Sequence, residues 1–440
     1  MSALIMAAQL ILGLAILVTL HELGHFLAAR AFGIRVEKFY LFFDAWGFKF
    51  FSITRGGTEY GIGWLPLGGY VKISGMIDES MDSEAMKLPP QSWEFRSKPA
   101  WQRLIVMLGG VTMNVLLGIA IYTMTLIKFD KQYLANDQVT DGIYAYDLGQ
   151  KMGLQNHDKV IAIDGKPFER FDDLISSRLI LGSNVTVLRD GKEITINVPE
   201  GFYRETVKAG KGNFIAPFQA HLLIDSIIKD KPAEAAGLKM NDQLLSINGI
   251  RVFSMEGCRK MISENKGKPI SLQIVRGADT SLIQPVVNDS GLIGVHFHND
   301  YGNYPLTKYT LGSSLKYGAS DAMEAITSNV KGLKQIFKGK EKASDSLQGP
   351  IGIATIYGGV WEWRRFWTIT GLLSMVLAFM NILPIPALDG GHVVFLLIES
   401  VTRKKFSDKF MEKAQLTGMV ILLSLMIFTV GNDVWKHLLN

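Results

Sequence analysis

Four long runs of apolar residues recur along the chain and predict membrane-spanning helices. They cover residues 3–29, 104–127, 366–388 and about 416–430. The first run carries no charged side chain from Ala3 to Leu20, and it continues to Arg30, which is long enough to cross a bilayer as one helix. Asn114 and Asn381 are the amide-bearing exceptions inside the second and third runs. The pattern predicts a polytopic α-helical membrane protein with four transmembrane helices.

The first run differs from a cleavable signal peptide, which is the competing interpretation of an apolar N-terminus. No basic residue precedes the run, whereas signal peptides begin with a positively charged segment. Cleavage would also discard the polar residues at the end of the run. We expect the first run to be retained as a helix.

Basic residues flank the predicted spans unevenly and indicate their orientation. Clusters follow the first and third spans: Arg30, Arg35, Lys38, Lys49, Arg55 and Lys72, and then Arg403, Lys404, Lys405, Lys409 and Lys413. Since loops rich in Lys and Arg stay in the cytoplasm, both clusters predict cytoplasmic ends. Both termini and the long middle region then lie outside the cytoplasm.

The loop between the first two spans has the character of β-strands rather than of helices. Aromatic residues crowd 39–53, Gly56-Gly57 follows, and a second strand-like run over 59–64 leads to Gly68-Gly69. Gly-Gly pairs between such runs predict hairpins. So apolar a sheet, joined directly to the first span, is expected to enter the membrane and offer its edge to an extended peptide. The alternative is an interfacial sheet that only packs on the helices.

The middle region contains an internal repeat. The segment 152–165 recurs as 236–249, with Gly153 matched by Gly237 84 residues later. Each copy predicts a short helix, a charged bend and a strand that ends in an Asp-Gly or Asn-Gly turn, so two similar domains follow. The run 231–238 (KPAEAAGL) resembles PDZ domains, which take extended peptide tails along a strand edge. The alternative is a pair of rigid spacers.

An amphipathic helix is predicted over 311–339, after the repeat. Leu315, Ala319, Met323 and Ile326 recur at helical spacing. Such a helix lies either on the outer membrane face or against the repeated domains.

Composition narrows the class of protein. The net charge of the 440 residues is only +5, without a basic block interleaved with aromatic residues, so nucleic acid is not an expected partner. Cys258 is the only cysteine, which excludes an intrachain disulfide and a cysteine-rich zinc site. We interpret Cys258 as a packed thiol.

The chemistry of the chain is concentrated at His21-Glu22-Leu23-Gly24-His25, near the end of the first span. On a helix His21 and His25 lie four residues apart on one face, so both imidazoles can bind a single metal ion. Glu22 lies beside them and can serve as a base toward water on that metal. Ionisable residues inside a membrane are costly and mark function.

A third metal ligand is predicted where the third span ends. Pro384 and Pro386 break the helix just before Asp389, and a broken backbone at membrane depth is tolerated when it lines a cavity. Two imidazoles and one carboxylate leave a fourth position open for water, as in catalytic zinc sites. His392 is an alternative ligand, and other divalent metals suit the same donor set.

These motifs, in this order, resemble the site-2 protease family of intramembrane zinc metalloproteases, in its bacterial regulator of sigma-E branch. The resemblance covers essentially the whole chain and implies Zn²⁺ held by His21, His25 and Asp389, with Glu22 as general base. It also implies a set of substrate-positioning residues: Asn381, Pro384, Pro386, Gly68, Gly69, Tyr70 and Val71.

The resemblance further implies a biological setting. Members of this branch lie in the inner membrane and cleave single-span membrane proteins, namely an anti-sigma factor already trimmed outside the membrane and the remnants of signal peptides. They act in regulated intramembrane proteolysis during an envelope stress response. Peptide tails at the PDZ-like pair and the lipid bilayer complete the expected partners.

The expected architecture joins the four transmembrane helices to a membrane-associated β element and two extracytoplasmic PDZ-like α/β domains. Its segments are 1–30 (first span), 31–100 (cytoplasmic-side loop with the β element), 101–128 (second span), 129–215 and 216–300 (PDZ-like domains), 301–365 (amphipathic helix and loop), 366–392 (third span) and 393–440 (basic loop and fourth span).

Two other functions remain open at this point. One is a non-proteolytic membrane adaptor that senses peptide tails with its PDZ-like pair. The presence of Glu22 and of a third ligand weighs against it. The other is a metal transporter, although no relay of acidic or histidine residues marks the other spans.

Overall fold

The computed structural model describes the chain apart from residues 1, 67, 77–88, 177–178, 180–183, 200–201, 203–204, 207–213, 253–254, 302–303, 340–343, 345–346 and 437–440. The chain forms two compact units. The first comprises Met1–Lys131 and Tyr309–Asn440, and the second comprises Gln132–Lys308.

The helices are α1 (Ser2–Ala31), α2 (Ala100–Lys128), α3 (Asp147–Met152), α4 (Pro232–Ala235), α5 (Met255–Ser263), α6 (Leu311–Phe337), α7 (Pro350–Tyr357), α8 (Trp363–Asn381), α9 (Asp389–Thr402) and α10 (Asp408–Val434). The strands are β1 (Val36–Leu41), β2 (Lys49–Arg55), β3 (Thr58–Gly63), β4 (Tyr70–Ile73), β5 (Gln132–Leu134), β6 (Ile143–Ala145), β7 (Lys159–Ile163), β8 (Asn184–Arg189), β9 (Lys192–Asn197), β10 (Ile215–Pro217), β11 (His221–Ile227), β12 (Gln243–Ile247), β13 (Ile250–Arg251), β14 (Leu272–Arg276), β15 (Asp279–Ile283), β16 (Val295–Asp300) and β17 (Leu306–Lys308).

Three helices of the described chain are long and apolar enough to cross a membrane: α1, α2 and the segment Lys409–Val434 of α10. They correspond to the first, second and fourth predicted spans. The third predicted span, 366–388, differs from the structure, because α8 ends at Asn381 and residues 382–388 are not helical. Pro384 and Pro386 account for this end, since proline removes a helical hydrogen bond and clashes with the preceding turn.

Small residues let the helices of the first unit approach closely. A Cβ on Gly24 of α1 would lie 2.2 Å from the carbonyl oxygen of Gly109 in α2, so the two backbones are in direct contact. On the other side of α2, a Cβ on Gly118 would meet the Met375 sulfur of α8 at 2.1 Å. Since apolar lipid offers no hydrophobic drive for helix association, such close backbone packing is what holds membrane helices together.

The amphipathic helix predicted over 311–339 is α6. It packs against α2 and α8 within the first unit, with Gly318 against Thr123 of α2. Its N-terminus is closed by a capping box, in which the Thr310 hydroxyl accepts from the Ser313 amide and the Ser313 hydroxyl accepts from the Thr310 amide.

The loop after α1 forms a four-stranded sheet in the order β2-β3-β1-β4. The predicted hairpin at Gly56-Gly57 is confirmed, since Arg55 of β2 pairs with Thr58 of β3. The hairpin predicted at Gly68-Gly69 is wrong, because β4 pairs with β1 and not with β3. A Cβ on Gly69 would lie 2.7 Å from Val18, so the chain there is already packed against α1.

Strand β2 exposes large apolar side chains at the opposite edge of this sheet. Phe48, just before the strand, and Phe50, Phe51 and Ile53 within it are each more than half exposed, as is Trp46. Soluble surfaces rarely expose so many large apolar side chains within one short segment, which is typical of a surface that contacts lipid or another apolar partner.

The second unit contains the repeat, and each copy has its own apolar core. Asp158 accepts two hydrogen bonds from Arg189 in the first copy, each 2.7 Å long, and Asp242 accepts two from Arg276 in the second, each 2.6 Å long. In both copies, therefore, a buried aspartate in the charged bend is bonded to an arginine of a later strand. Cys258 is fully buried in the second core, and burial raises the pKa of its thiol to about 12, as expected of a packed thiol.

The Asp242–Arg276 pair predicts acid sensitivity of the second copy. Burial opposes the charge of Asp242, but the hydrogen bonds from Arg276 and from the Lys239 amide, together with the nearby positive charges, hold the pKa of the carboxyl below its usual range. A depressed folded-state pKa contributes stability that is fully present above the unfolded value of about 3.9 and is lost as the pH falls toward the folded value. We expect Asp242→Asn to lower the protection of the β12 and β14 amides against hydrogen exchange at pH 7. Between about pH 5 and pH 3, this protection should fall less in the variant than in the parent chain.

Hydrogen exchange on the full chain measures this effect. Asp279→Asn, an exposed acid on the neighbouring strand β15, serves as the control and should behave like the parent chain. An unchanged pH dependence in Asp242→Asn would show that other groups govern the acid response.

Candidate metal centre

Three donor atoms converge near the C-terminal end of α1. His21 and His25 are both buried, and their Nε2 atoms lie 3.3 Å apart. The Asp389 Oδ2 atom lies 3.3 Å from each of these nitrogens. Residues 21, 25 and 389, all predicted as ligands from the sequence, thus form one near-equilateral triangle of donors.

The triangle fits a single divalent metal ion. Ligands about 2.0–2.1 Å from a tetrahedral zinc ion are separated by about 3.3 Å, which is the spacing found here. Asp389 Oδ2 is buried, and no hydrogen bond of normal geometry reaches it within the described chain. Two imidazole nitrogens and a carboxylate oxygen that share one small volume are therefore arranged for a cation rather than for one another.

Contacts behind the two rings fix the nitrogen that each presents. His25 Nδ1 lies 2.8 Å from the Val106 carbonyl oxygen of α2, so Nδ1 carries the proton and Nε2 is left as the donor. His21 Nδ1 lies 3.0 Å from the side-chain amide of Asn114. Within the described chain Asn114 Oδ1 is buried without a partner. If the side-chain amide is rotated so that Oδ1 and Nδ2 exchange places, Oδ1 accepts the proton of His21 Nδ1.

Asn114 thus contacts a predicted metal ligand. The sequence indicated Asn114 only as an amide within an apolar span. Asn381 reaches the same ring from α8, with its side-chain nitrogen 3.2 Å from His21 Nε2. Pro386 is half-buried and Pro384 exposed in the following segment, and neither belongs to the donor cluster.

The chain folds tightly around Asp389, which begins α9. A Cβ on Gly390 would lie 2.4 Å from the Ile382 backbone, and one on Gly391 would lie 2.4 Å from the Ile385 carbonyl oxygen. The two glycines let residues 382–388 fold back on the start of α9, and this packing presents the carboxylate to the histidines. His392, the alternative ligand, is not in the cluster and instead lines a cavity of about 110 Å³ with Arg103 and Glu399.

Glu22 lies between the donor cluster and strand β4. Its carboxylate interacts with the backbone amide of Val71, and a Cβ on Gly69 would lie 3.6 Å from Glu22 Cγ. Of the residues that the sequence assigned to a β element beside the site, Gly69 and Val71 therefore do reach the predicted base, whereas Gly68 lies against Phe43.

A buried ion pair links the helices that carry the site. Arg103 Nη2 of α2 donates to Glu399 Oε1 of α9 at 2.5 Å, and both side chains are about nine-tenths buried. Arg103 lies one turn before Val106, and Glu399 lies on the helix that Asp389 begins. No pattern in the sequence indicated this pair, whose members are 296 residues apart.

Comparison with known proteins agrees with this geometry. The family model described as Peptidase family M50 matches residues 9–425. The regulator of sigma E protease of Haemophilus influenzae is 28% identical, over 98% of this chain and 99% of its own length. Protease RseP of Yersinia pestis is likewise 28% identical over 98% and 99%. A protein of Clostridium perfringens, provisionally named a zinc metalloprotease, is 26% identical over 96% and 97%.

Buried histidine and carboxylate donors with an adjacent glutamate define a metallopeptidase centre, and here both histidines and the glutamate lie on α1, a helix of membrane-spanning length. The chain belongs to peptidase family M50, and the protein is a metalloprotease of the site-2 type.

Gly110 of α2 provides a first test of the metal centre. A Cβ there would lie 2.4 Å from His25 Nε2 and 2.5 Å from His21 Cε1, so Gly110→Ala pushes both rings from the donor triangle. We expect the zinc content of the purified protein to fall to less than half, measured by atomic absorption. Gly332→Ala in α6 meets nothing within 4 Å and should retain its zinc. Full zinc occupancy in Gly110→Ala would contradict the arrangement.

The Arg103–Glu399 pair provides a second test. Removing one member of a buried pair strands a charge and costs about 3–5 kcal/mol, whereas replacing both with apolar groups is close to neutral. We expect Arg103→Met or Glu399→Met alone to lower the thermal unfolding midpoint in detergent far more than the double variant. Lys260→Met, which breaks an exposed pair with Glu264, should change it little. Additive losses in the double variant would argue against this coupling.

Proposed function

We propose that this protein is a zinc-dependent intramembrane endopeptidase that cleaves transmembrane segments of single-span membrane proteins. The observation that carries the proposal is the convergence of His21, His25 and Asp389 beside Glu22, with both histidines and the glutamate on α1, a helix of membrane-spanning length. Membership of peptidase family M50 and the names of its relatives support zinc as the metal.

Each site residue then has a chemical role. His21, His25 and Asp389 would hold zinc, which when bound would supply Lewis-acid chemistry toward water and the scissile carbonyl. The carboxylate of Glu22 accepts a proton from the attacking water and passes it to the leaving amine nitrogen. The side-chain amide of Asn381, beside His21, donates to the charge that develops on the carbonyl oxygen.

The substrate must unwind before it can be cut, because a helix uses its peptide groups in internal hydrogen bonds. Strand β4 lies at the edge of its sheet and next to Glu22, so an opened segment can pair with it and regain hydrogen bonds. Tyr70 and Val71 belong to this edge strand and Gly68 and Gly69 directly precede it, while residues 382–388, with Pro384 and Pro386, lead directly into Asp389. The exposed aromatic side chains of β2 fit a sheet that enters the lipid.

The membrane arrangement we propose has four spans, with α8 as the third despite its 19 residues. The basic residues after α1 and α9 favour a cytoplasmic position for the site, and thus periplasmic termini and repeated domains in a bacterial inner membrane. The repeat favours two PDZ-like domains that exclude bulky external domains or take peptide tails.

The relatives named for sigma E regulation suggest the natural substrates. Two of them carry that role in their names, as regulator of sigma E protease or RseP. We propose a pre-trimmed anti-sigma factor and signal-peptide remnants as substrates, within an envelope stress response. Both are single membrane segments with little mass outside the bilayer.

Cleavage by purified protein in liposomes tests this function directly. We expect the parent chain to cut a synthetic single-span substrate with a short external tail inside its span. Glu22→Gln, which removes the base but keeps the shape, should lower the rate by at least about 100-fold. Its zinc content should stay unchanged, because Glu22 is not a ligand. Retention of the tail with no cutting by either chain would instead favour a membrane adaptor.

A further inference from the structure

Pairing with β1 is not the only interaction that holds strand β4 next to Glu22, the predicted base. The strand is short, it forms the edge of the sheet order β2-β3-β1-β4, and its backbone interacts with Glu22 through Val71. A shift of this strand by a fraction of an ångström would move both the base and any peptide paired with its edge. Side chains at its start are therefore of functional interest.

A compact group of side chains holds the start of β4. The Tyr70 hydroxyl donates to Asp44 Oδ1 at 2.8 Å, and the Lys38 ammonium donates to Asp44 Oδ2 at 3.1 Å. The Tyr70 ring stacks on Tyr40 with centroids 5.4 Å apart, and on Phe43 at 6.1 Å. We call Lys38, Asp44 and Tyr70 the tyrosine clamp.

Within the tyrosine clamp, the Asp44 carboxylate stays charged and the Tyr70 hydroxyl stays neutral. Burial and the Asp44 carboxylate raise the pKa of Tyr70, so its hydroxyl stays protonated and continues to donate. Burial opposes the charge of Asp44, but the hydrogen bonds from Tyr70 and Lys38 hold the pKa of its carboxyl below the usual range. Hydrogen bonds to a charged group are about twice as strong as neutral ones, which favours a single geometry.

The backbone that presents Asp44 is strained. Phe42 has a φ of +65° and Trp46 a φ of +55°, a left-handed region that bulky residues rarely adopt. Strain of this kind persists where the surroundings fix it, and here it brings the turn after β1 beneath Tyr70. The turn, the clamp and the edge strand form one connected path to Glu22.

We propose that Lys38, Asp44 and Tyr70 are positioning residues that fix the distance between edge strand β4 and Glu22. This inference rests on the proposed function and changes the part assigned to Tyr70. The Tyr70 ring lies against two aromatic rings and its hydroxyl is bonded to Asp44, so it acts through the strand rather than by touching the substrate. Loss of the clamp affects the chemical step and leaves metal binding intact.

The same sheet provides a matched control. On β3, Glu59 accepts from the Tyr40 hydroxyl at 2.7 Å and from Lys49 at 2.5 Å, which is again a carboxylate between a tyrosine and a lysine. These hydrogen bonds hold the Glu59 pKa at about 2. Glu59 belongs to the strand on the far side of β1 from β4. Glu59→Gln therefore weakens a comparable network that leaves the Tyr70–Asp44 hydrogen bond in place and reaches β4 through the Tyr40 ring.

The test compares Tyr70→Phe, Asp44→Ala and Asp44→Asn with Glu59→Gln in the full chain. We expect Tyr70→Phe and Asp44→Ala to lower kcat for a single-span substrate about 10- to 100-fold, since small misplacements of reacting groups cost that much. Asp44→Asn keeps an acceptor for Tyr70 and should recover part of the loss. Zinc content should be unchanged throughout, and Glu59→Gln should retain the parent kcat.

Equal losses in Glu59→Gln and Tyr70→Phe, or loss of zinc in the clamp variants, would overturn the proposal, because either result describes general support of the fold. Hydrogen exchange separates this proposal from the function on which it rests. Faster exchange of β4 amides in Tyr70→Phe but not in Glu59→Gln supports the clamp even if the parent chain cuts nothing. Unchanged β4 exchange with an active parent chain would refute the clamp alone.

Discussion

The structure depends on holding three electron-rich donor atoms close together in a site that is buried from solvent. Two imidazole nitrogens and a carboxylate oxygen lie 3.3 Å from one another within helices packed for a lipid environment. Burial of such groups is costly unless a cation compensates them. The contacts around the site serve this constraint: glycine contacts bring α1 and α2 together, and a folded-back segment presents Asp389.

The close approach of α1 and α2 has two effects at once. Because Gly24 and Gly109 place the backbones in contact, α2 can offer a carbonyl group to His25 and an amide to His21. The same closeness leaves no room for a side chain at Gly110. The ligand geometry and the helix packing are therefore one feature, and neither can be changed without the other.

The sequence predicted the parts of the site that depend on local spacing. Residues four apart on a helix and a proline-broken span before an acid both lie within short stretches. Asn114, the Arg103–Glu399 pair and the tyrosine clamp could not be predicted in this way. Their contacts depend on where two helices cross and on the pairing of β4 with β1, and the latter contradicted the hairpin expected at Gly68-Gly69.

The break after α8 also decides which residues can meet at His21. In a continuous helix, Asn381 and Asp389 would be separated by about 12 Å along the axis, since each residue rises 1.5 Å. Here both reach the same ring nitrogen, at 3.2 and 3.3 Å. The non-helical segment thus brings Asn381 and Asp389 closer together than a continuous helix would. A neutral donor and an anionic ligand from one stretch of sequence therefore contact a single imidazole.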